Sequence, residues 1–321
     1  MTARWTALCL ILLMIPAQAQ TPKAGAAPSE REATLKLAAE ELTAGRRDEA
    51  ARLLRSAADR FQSVQALLQL ARLQSGQGDA PGALESLSRA RTIAPNSEEV
   101  LSAFAQVSLG ARLPLPAIVT LDSLTRLCPS VAQYQYLLGV ALMQIGDMVL
   151  AVDSLSAAER LEPDRVLTLV ALGLALNNRK LFTEARPFLL RSLELEPDSA
   201  EAMAALAESE EGLGDLQSAE AHARRALARS AANPTANLVL GLVFMKQQRY
   251  EDARDALQKT VAADPDSSKA HYQLSLACAR LGDEACSQRE VELYQQNVRE
   301  RDERLRRLRT QTGLSSGETS R

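Results

Sequence analysis

Apolar residues recur along most of this chain at i, i+3, i+4 and i+7, the spacing of one face of an α-helix. The helical stretches are parted by short breaks, such as IGD at 145–147, LGD at 213–215 and LGD at 281–283. Two helices and a break make a hairpin, and the hairpin recurs. Pro95, Pro129, Pro163 and Pro197 stand 34 residues apart, and Pro265 stands 68 beyond, with Ala231 at the vacant place. Ala83, Ala117, Ala151, Ala185, Ala219 and Ala253 keep the same interval. So do Leu138, Leu172, Leu206, Leu240 and Leu274, extended backwards by Phe104 and Leu70. Beside them lie Gly139, Gly173 and Gly241, with Ala71, Ala105, Ala207 and Ser275 at the equivalent sites.

The pattern has a physical reading. The small residue of the first helix and the alanine of the second let the two helices approach closely. The proline ends the second helix, because it cannot continue the hydrogen-bond ladder. One hairpin cannot bury its apolar face, but stacked hairpins can. Eight units are expected, at 31–63, 64–97, 98–131, 132–165, 166–199, 200–233, 234–267 and 268–301. The first is one residue short, though its Ala50, Leu54 and Ala57 keep the second-helix pattern. Ser29 and Glu32 form a capping box that opens the array. Pro114 and Pro116 suit the first turn of a second helix, whereas Pro187 lies deeper and predicts a local distortion. In the last unit the second helix is expected to run on to about Arg309, with Val291, Tyr294, Val298, Leu305 and Leu308 in a seven-residue alternation broken by Arg301.

On these residues the chain resembles the tetratricopeptide repeat family, whose pattern is W-x2-L-G-x2-Y, then A-x3-F, then P, on a 34-residue period. Ala151 with Leu155, Ala185 with Leu189, and Ala253 with Leu257 match its second-helix part. The Trp site departs from it, reading Leu101, Gln135, Leu169, Met203, Asn237 and His271. The resemblance implies an all-α fold, an α-α superhelix (a solenoid) of about eight helix-turn-helix units over 29–311 with a long C-terminal helix.

The N-terminus changes the picture of location. Trp5 to Ile15 is an apolar run too short to span a bilayer comfortably, and Ala17 and Ala19 follow in a small-residue cleavage pattern. Residues 1–19 read as a signal peptide, 20–28 as a flexible leader and 312–321 as a disordered tail. Export to the periplasm is expected, with no membrane span after cleavage. The formal net charge of −3 favours no nucleic acid.

Candidate chemistry is sparse. His222 lies among Glu220, Arg224 and Arg225 and reads as solvated, while His271 reads as packed. Neither has metal-ligand companions at useful spacing. No phosphate loop, nucleophile elbow or Cys–His arrangement is visible, so a non-enzymatic protein without cofactor or metal is expected. Cys278 and Cys286 are placed symmetrically about Gly282. They are either bridged or two separately packed thiols, and an oxidising compartment favours the bridge.

In the resembled family the first helices line a concave face that holds a partner segment. The register puts Tyr136, Val140, Met143, Leu167, Val170, Leu174, Leu238, Leu242 and Met245 on that face, interrupted by Glu201, Glu208 and Glu211. Some of these side chains must instead pack against neighbouring first helices. The expected partner is another protein, offering a peptide or an amphipathic helix with Lys or Arg opposite the glutamates. The expected function is a protein-binding scaffold or adaptor of the bacterial cell envelope. The alternative is a structural module that dimerises through its C-terminal helix.

Overall fold

The computed structural model describes residues 29–312. The expected signal peptide at 1–19, the leader at 20–28 and positions 313–321 of the tail lie outside the described residues. Among the described residues there are sixteen α-helices and no strand. In chain order they are α1 (Glu30–Thr43), α2 (Arg47–Phe61), α3 (Val64–Gly76), α4 (Ala80–Ile93), α5 (Glu98–Gly110), α6 (Pro114–Leu127), α7 (Ala132–Ile145) and α8 (Met148–Leu161). They continue as α9 (Val166–Asn178), α10 (Phe182–Leu195), α11 (Ala200–Leu213), α12 (Leu216–Arg229), α13 (Pro234–Lys246), α14 (Tyr250–Ala263), α15 (Ser268–Arg280) and α16 (Glu284–Thr312).

The chain divides into two compact parts, one through Leu70 and one from Ala71. In the first part Ser29 caps α1 by the expected box. Its hydroxyl accepts from the Glu32 N–H, and the Glu32 carboxylate accepts from the Ser29 N–H at 3.0 Å. α1 packs on α2, where Ala50, Leu54 and Ala57 are fully buried.

The second part is a continuous stack of helix pairs, each helix from α4 onward touching the next. Within a pair the interior follows a small-against-large rule. A Cβ added to Gly139, Gly173 or Gly241 would stand 2.5–2.6 Å from Leu155, Leu189 or Leu257, which are wholly buried one helix later. In the α11–α12 pair the equivalent residues are Ala207 and Ala223, both wholly buried. Each such leucine contributes roughly 1.5–3 kcal/mol through burial.

From α3 onward the turn inside each pair needs one residue with positive φ, at positions 78, 112, 146, 180, 214, 248 and 282. The residue type alternates along the chain. Gly78, Gly146, Gly214 and Gly282 are each followed by an aspartate whose carboxylate caps the next helix, accepting from the N–H of Gly82, Leu150, Ser218 and Cys286 respectively. Arg112, Lys180 and Gln248 adopt the same conformation without a glycine's freedom. Leu113, Leu181 and Arg249 follow them and provide no side-chain cap. From position 78 onward the two kinds of turn therefore alternate, a 68-residue order laid over the 34-residue one.

Pro114 opens α6 as the sequence predicts. The distortion expected at Pro187 does not interrupt α10, which runs helical through it. The carbonyl that loses its partner belongs to Thr183, one turn earlier and exposed, so water can satisfy it. α16 is 29 residues long, against 13–15 for every other helix, and it ends at Thr312, a little past the expected Arg309. That end makes Thr312 helical, although the sequence places it in the disordered tail.

Candidate partner-binding face

Among the described residues, the contacts between helices of alternate rank join first helices of the pairs: α7 with α9, α9 with α11, α11 with α13 and α13 with α15. These five helices thus form one continuous layer, with the second helices behind it. Two buried side chains tie that layer together. Asn177 of α9 donates to the Ala205 carbonyl of α11 at 2.8 Å, and the Ser209 hydroxyl donates back to Asn177 Oδ1 at 2.7 Å.

The twelve residues assigned to the face fall into three groups. Glu208 and six apolar residues, Tyr136, Val140, Met143, Leu174, Leu238 and Met245, are half-buried, and of these six all but Val140 pack against core clusters. They carry apolar surface that is partly open. Leu167 is 56 % exposed and Glu201 is exposed. Val170, Leu242 and Glu211 are buried, at 5 %, 8 % and 8 % exposure. Those three offer a partner little surface, and Glu211 is paired with Lys246 of the next first helix.

The acidic band differs from its sequence reading. The chain's own bases stand opposite it. Lys246 Nζ lies 2.6 Å from Glu211 Oε1 and also donates to the Glu211 carbonyl at 3.1 Å. Lys269, at the start of α15, reaches Glu208 of α11 at 3.6 Å, two first helices away. Glu210 pairs with His222 Nδ1 at 2.8 Å. His222 is therefore engaged and half-buried rather than solvated, because Glu210 faces the second helix instead of the open face. A partner's Lys or Arg is not needed to neutralise this band. Glu201 alone of the three assigned glutamates has no ion pair within 4.0 Å among the described residues.

At the α7–α9 end the polar group is Arg165, at the N-cap of α9. Its guanidinium lies 4.8 Å from the centre of the Tyr136 ring, bonds to Gln133 Oε1 and approaches Glu162 at 3.6 Å. Burial pushes the Tyr136 phenol above its ordinary pKa, with Arg165 opposing and Glu201 reinforcing the shift. This end thus presents Leu167, Leu174, Val140 and Met143 beside a stacked arginine. Arg165, Lys246 and Lys269 are the residues that pattern reading misses. Lys246 and Lys269 act across repeat boundaries, and Arg165 reaches from the end of its repeat back to the start of it, so no short-range spacing reveals them.

His271 is buried as expected. Its Nδ1 lies 2.7 Å from Glu290 and its Nε2 lies 3.0 Å from the Pro265 carbonyl, which also accepts from Asn297 at 2.8 Å. These contacts, with the Tyr272 and Tyr294 rings 5.5 Å apart, hold α16 on α15. Cys278 and Cys286 lie across the same turn, with Cα atoms 5.8 Å apart and their sulfurs bonded. Cys128 is free and half-buried. Among the described residues no group of three or more His, Cys, Asp or Glu could hold a metal ion. No described helix is long and apolar enough to cross a membrane.

Comparison with known proteins places this architecture. Tetratricopeptide-repeat family models match residues 35–98 and 170–236, and residues 211–281, together more than half of the chain. No curated protein matches. Among solved structures, a tetratricopeptide repeat protein from Parabacteroides merdae is similar with a TM-score of 0.57 at 16 % identity, over 77 % of this chain and 98 % of that one. The C-terminal part of a repeat protein from Cytophaga hutchinsonii gives 0.54 at 15 % identity, over 75 % and 99 %. A chain of the Cut9–Hcn1 hetero-tetramer of the APC/C gives 0.55 at 19 % identity, over 75 % of this chain and 48 % of that one. At these identities the likeness is one of fold. With the 34-residue register, the stacked helix pairs and the family models in agreement, the chain belongs to the tetratricopeptide repeat family.

Proposed function

We propose that the protein is a non-enzymatic scaffold of the bacterial cell envelope that holds a segment of another protein on its first-helix face. The repeat fold itself suggests a protein-interaction scaffold; the partner, the face and the envelope location are the proposal. The observation that carries it is the open apolar surface at the α7–α9 end, where Leu167 is 56 % exposed and Tyr136, Val140, Met143 and Leu174 are half-buried within one continuous layer. Stripes at this spacing suit the i, i+3, i+4 and i+7 anchors of an amphipathic helix, or an extended peptide. Met143 can adapt to an irregular ligand. Because Lys246 and Lys269 already face the glutamates of α11, the partner's main contact is apolar and centred on α7 and α9. Glu201 remains to orient a cationic residue of the partner.

Export is supported by the short apolar run before Ala17 and Ala19 and by a cysteine pair positioned for a bridge, which suits an oxidising compartment. N-terminal sequencing and a thiol count on the denatured, unreduced native protein test this part. A chain beginning at Gln20 with a single free thiol is expected; an intact Met1 or three free thiols contradicts it.

The second reading, self-assembly through α16, is favoured by one observation. α16 continues from Asn297, where it bonds to the Pro265 carbonyl, on to Thr312. Light scattering on the full chain and on a chain ending at residue 300 separates the readings. A monomer in both supports the scaffold, and a dimer lost on truncation supports assembly.

A further inference from the structure

Away from the first-helix face, α4 and α6 are the second helices of successive pairs. Between them lies an open groove of about 490 Å³, within the roughly 300–1,000 Å³ usual for ligand sites. Its floor is Leu101 of α5, at the site where the family pattern has Trp. A leucine is shorter than an indole, and the groove opens over it. One wall carries Val119, at 65 % the most exposed large apolar side chain among the described residues.

The polar side chains lining the groove are Ser88, Arg91, Thr92, Ser123, the exposed Asn96 at its rim and the buried Thr120, whose hydroxyl donates to the Pro116 carbonyl at 2.8 Å. The Ser88, Thr92 and Ser123 hydroxyls donate within their own helices, to the carbonyls of Leu84, Ser88 and Val119 at 2.7, 2.9 and 3.1 Å. Their protons are spent, so they offer the groove lone pairs that accept. Arg91 offers the opposite chemistry. Its guanidinium lies 4.9 Å from the centre of the Phe104 ring and has no ion pair among the described residues. The neighbouring acids are engaged elsewhere: Glu98 accepts from Tyr134 at 2.6 Å, Glu99 pairs with Arg72 at 2.9 Å and Asp122 with Arg126 at 2.7 Å.

A ligand complementary to this groove carries a large flat apolar group for Leu101 and Val119, N–H donors for the hydroxyls, and a carboxylate for Arg91. One residue can supply all three. We infer that the α4–α6 groove is a second binding site, for a chain-terminal aromatic residue of a partner: an aromatic side chain, an amide N–H and a free carboxylate. It goes beyond the proposed function, because it uses the second helices and is independent of what occupies α7 and α9.

Calorimetric titration of the purified protein with N-acetyl-tryptophan tests this, with N-acetyl-tryptophanamide as the probe lacking the carboxylate. The acid is expected to bind saturably at one site, and the amide about tenfold more weakly or less, the loss of one charged hydrogen-bond partner. Arg91→Met is expected to weaken the acid about tenfold and to leave the amide unchanged. Leu101→Trp, which fills the groove from beneath, is expected to remove binding of both. The inference is overturned if the acid shows no saturation up to roughly 10 mM, where even a millimolar complex is mostly formed. It is equally overturned if acid and amide bind alike, or if Arg91→Met binds the acid as the parent does. Arg91 is half-buried and methionine keeps its unbranched apolar stem over Phe104, so that variant decides the matter even where Leu101→Trp unsettles the fold.

Discussion

The α9–α10 and α11–α12 hairpins are consecutive copies of one repeat, yet they differ at every level. On its first helix the earlier hairpin shows Leu167 and Leu174, while the later shows Glu208 and Glu211 held by Lys269 and Lys246. Inside, the earlier sets Gly173 against Leu189 and the later sets Ala207 against Ala223. At the turn, the earlier puts Lys180 at positive φ with no cap, and the later puts Gly214 there with Asp215 as cap. The constraint shared by the two is volume and register, not residue identity. Where neither is at stake, on the open face, the copies are free to diverge, and that is where function is written.

The largest effect is expected inside the hairpins. Leu189→Ala leaves a cavity facing Gly173 and should cost about 2–5 kcal/mol, read as a lowered thermal midpoint. Ala223→Leu should cost about 1–3 kcal/mol by overpacking against Ala207. Adding Ala207→Gly recreates the arrangement of the earlier hairpin and should recover most of that loss. If it recovers nothing, the small-against-large rule is not what sets the approach of the helices.

On the face, Leu174→Asp is expected to weaken the partner by about a hundredfold or more, the effect of removing a central apolar anchor. Circular dichroism should be unchanged, since Leu174 is only half-buried. The matching change in the later hairpin, Glu208→Lys, should alter affinity little but lower its salt dependence if Glu201 and its surroundings steer a cationic residue of the partner.

The two lysines should differ. Lys246→Ala leaves the buried Glu211 carboxylate without its cation and should cost about 1–2 kcal/mol. Lys269→Ala loses a half-exposed pair and should cost about 0.5 kcal/mol or less. A double variant no worse than Lys246→Ala would confirm that the second pair contributes little to folding.

The smallest effects lie at the turns. Lys180→Gly should gain about 1 kcal/mol by relieving the left-handed backbone. Asp215→Ala should destabilise at neutral pH. Hydrogen bonds from Ser218, side chain first and then backbone, hold the Asp215 carboxyl below the usual carboxylate range. A depressed carboxyl stabilises the fold above its unfolded pKa and loses that contribution as pH falls through its folded one. The variant and parent should therefore converge on acidification below about pH 4, the ordinary aspartate value.

The repeat, the helix pairs and the small-residue column are legible in the sequence because each is a local periodicity. A proline, an alanine or a glycine at a fixed place suffices. The same register places the face but not which of its members are open. Val170, Leu242 and Glu211 have the right spacing and are nonetheless buried. The charge arrangement is illegible for a related reason. Lys269 and Glu208 are 61 residues apart and meet only because the stack brings α15 near α11. His222 reads as solvated from its neighbours in sequence, although its partner Glu210 comes from the preceding helix. The alternation of the turns is present in the sequence as G-D at 78, 146, 214 and 282, but its meaning follows only from the backbone.

The central claim is that the α7–α9 part of the first-helix layer holds a partner. The most direct measurement places a photo-crosslinking residue at Val140, at Leu174 or at the exposed second-helix residue Leu190, and crosslinks in the native cell. The account expects one discrete protein adduct from positions 140 and 174, the same partner from both, and none from 190. No adduct from either face position, or the same adduct from 190 alone, would contradict it.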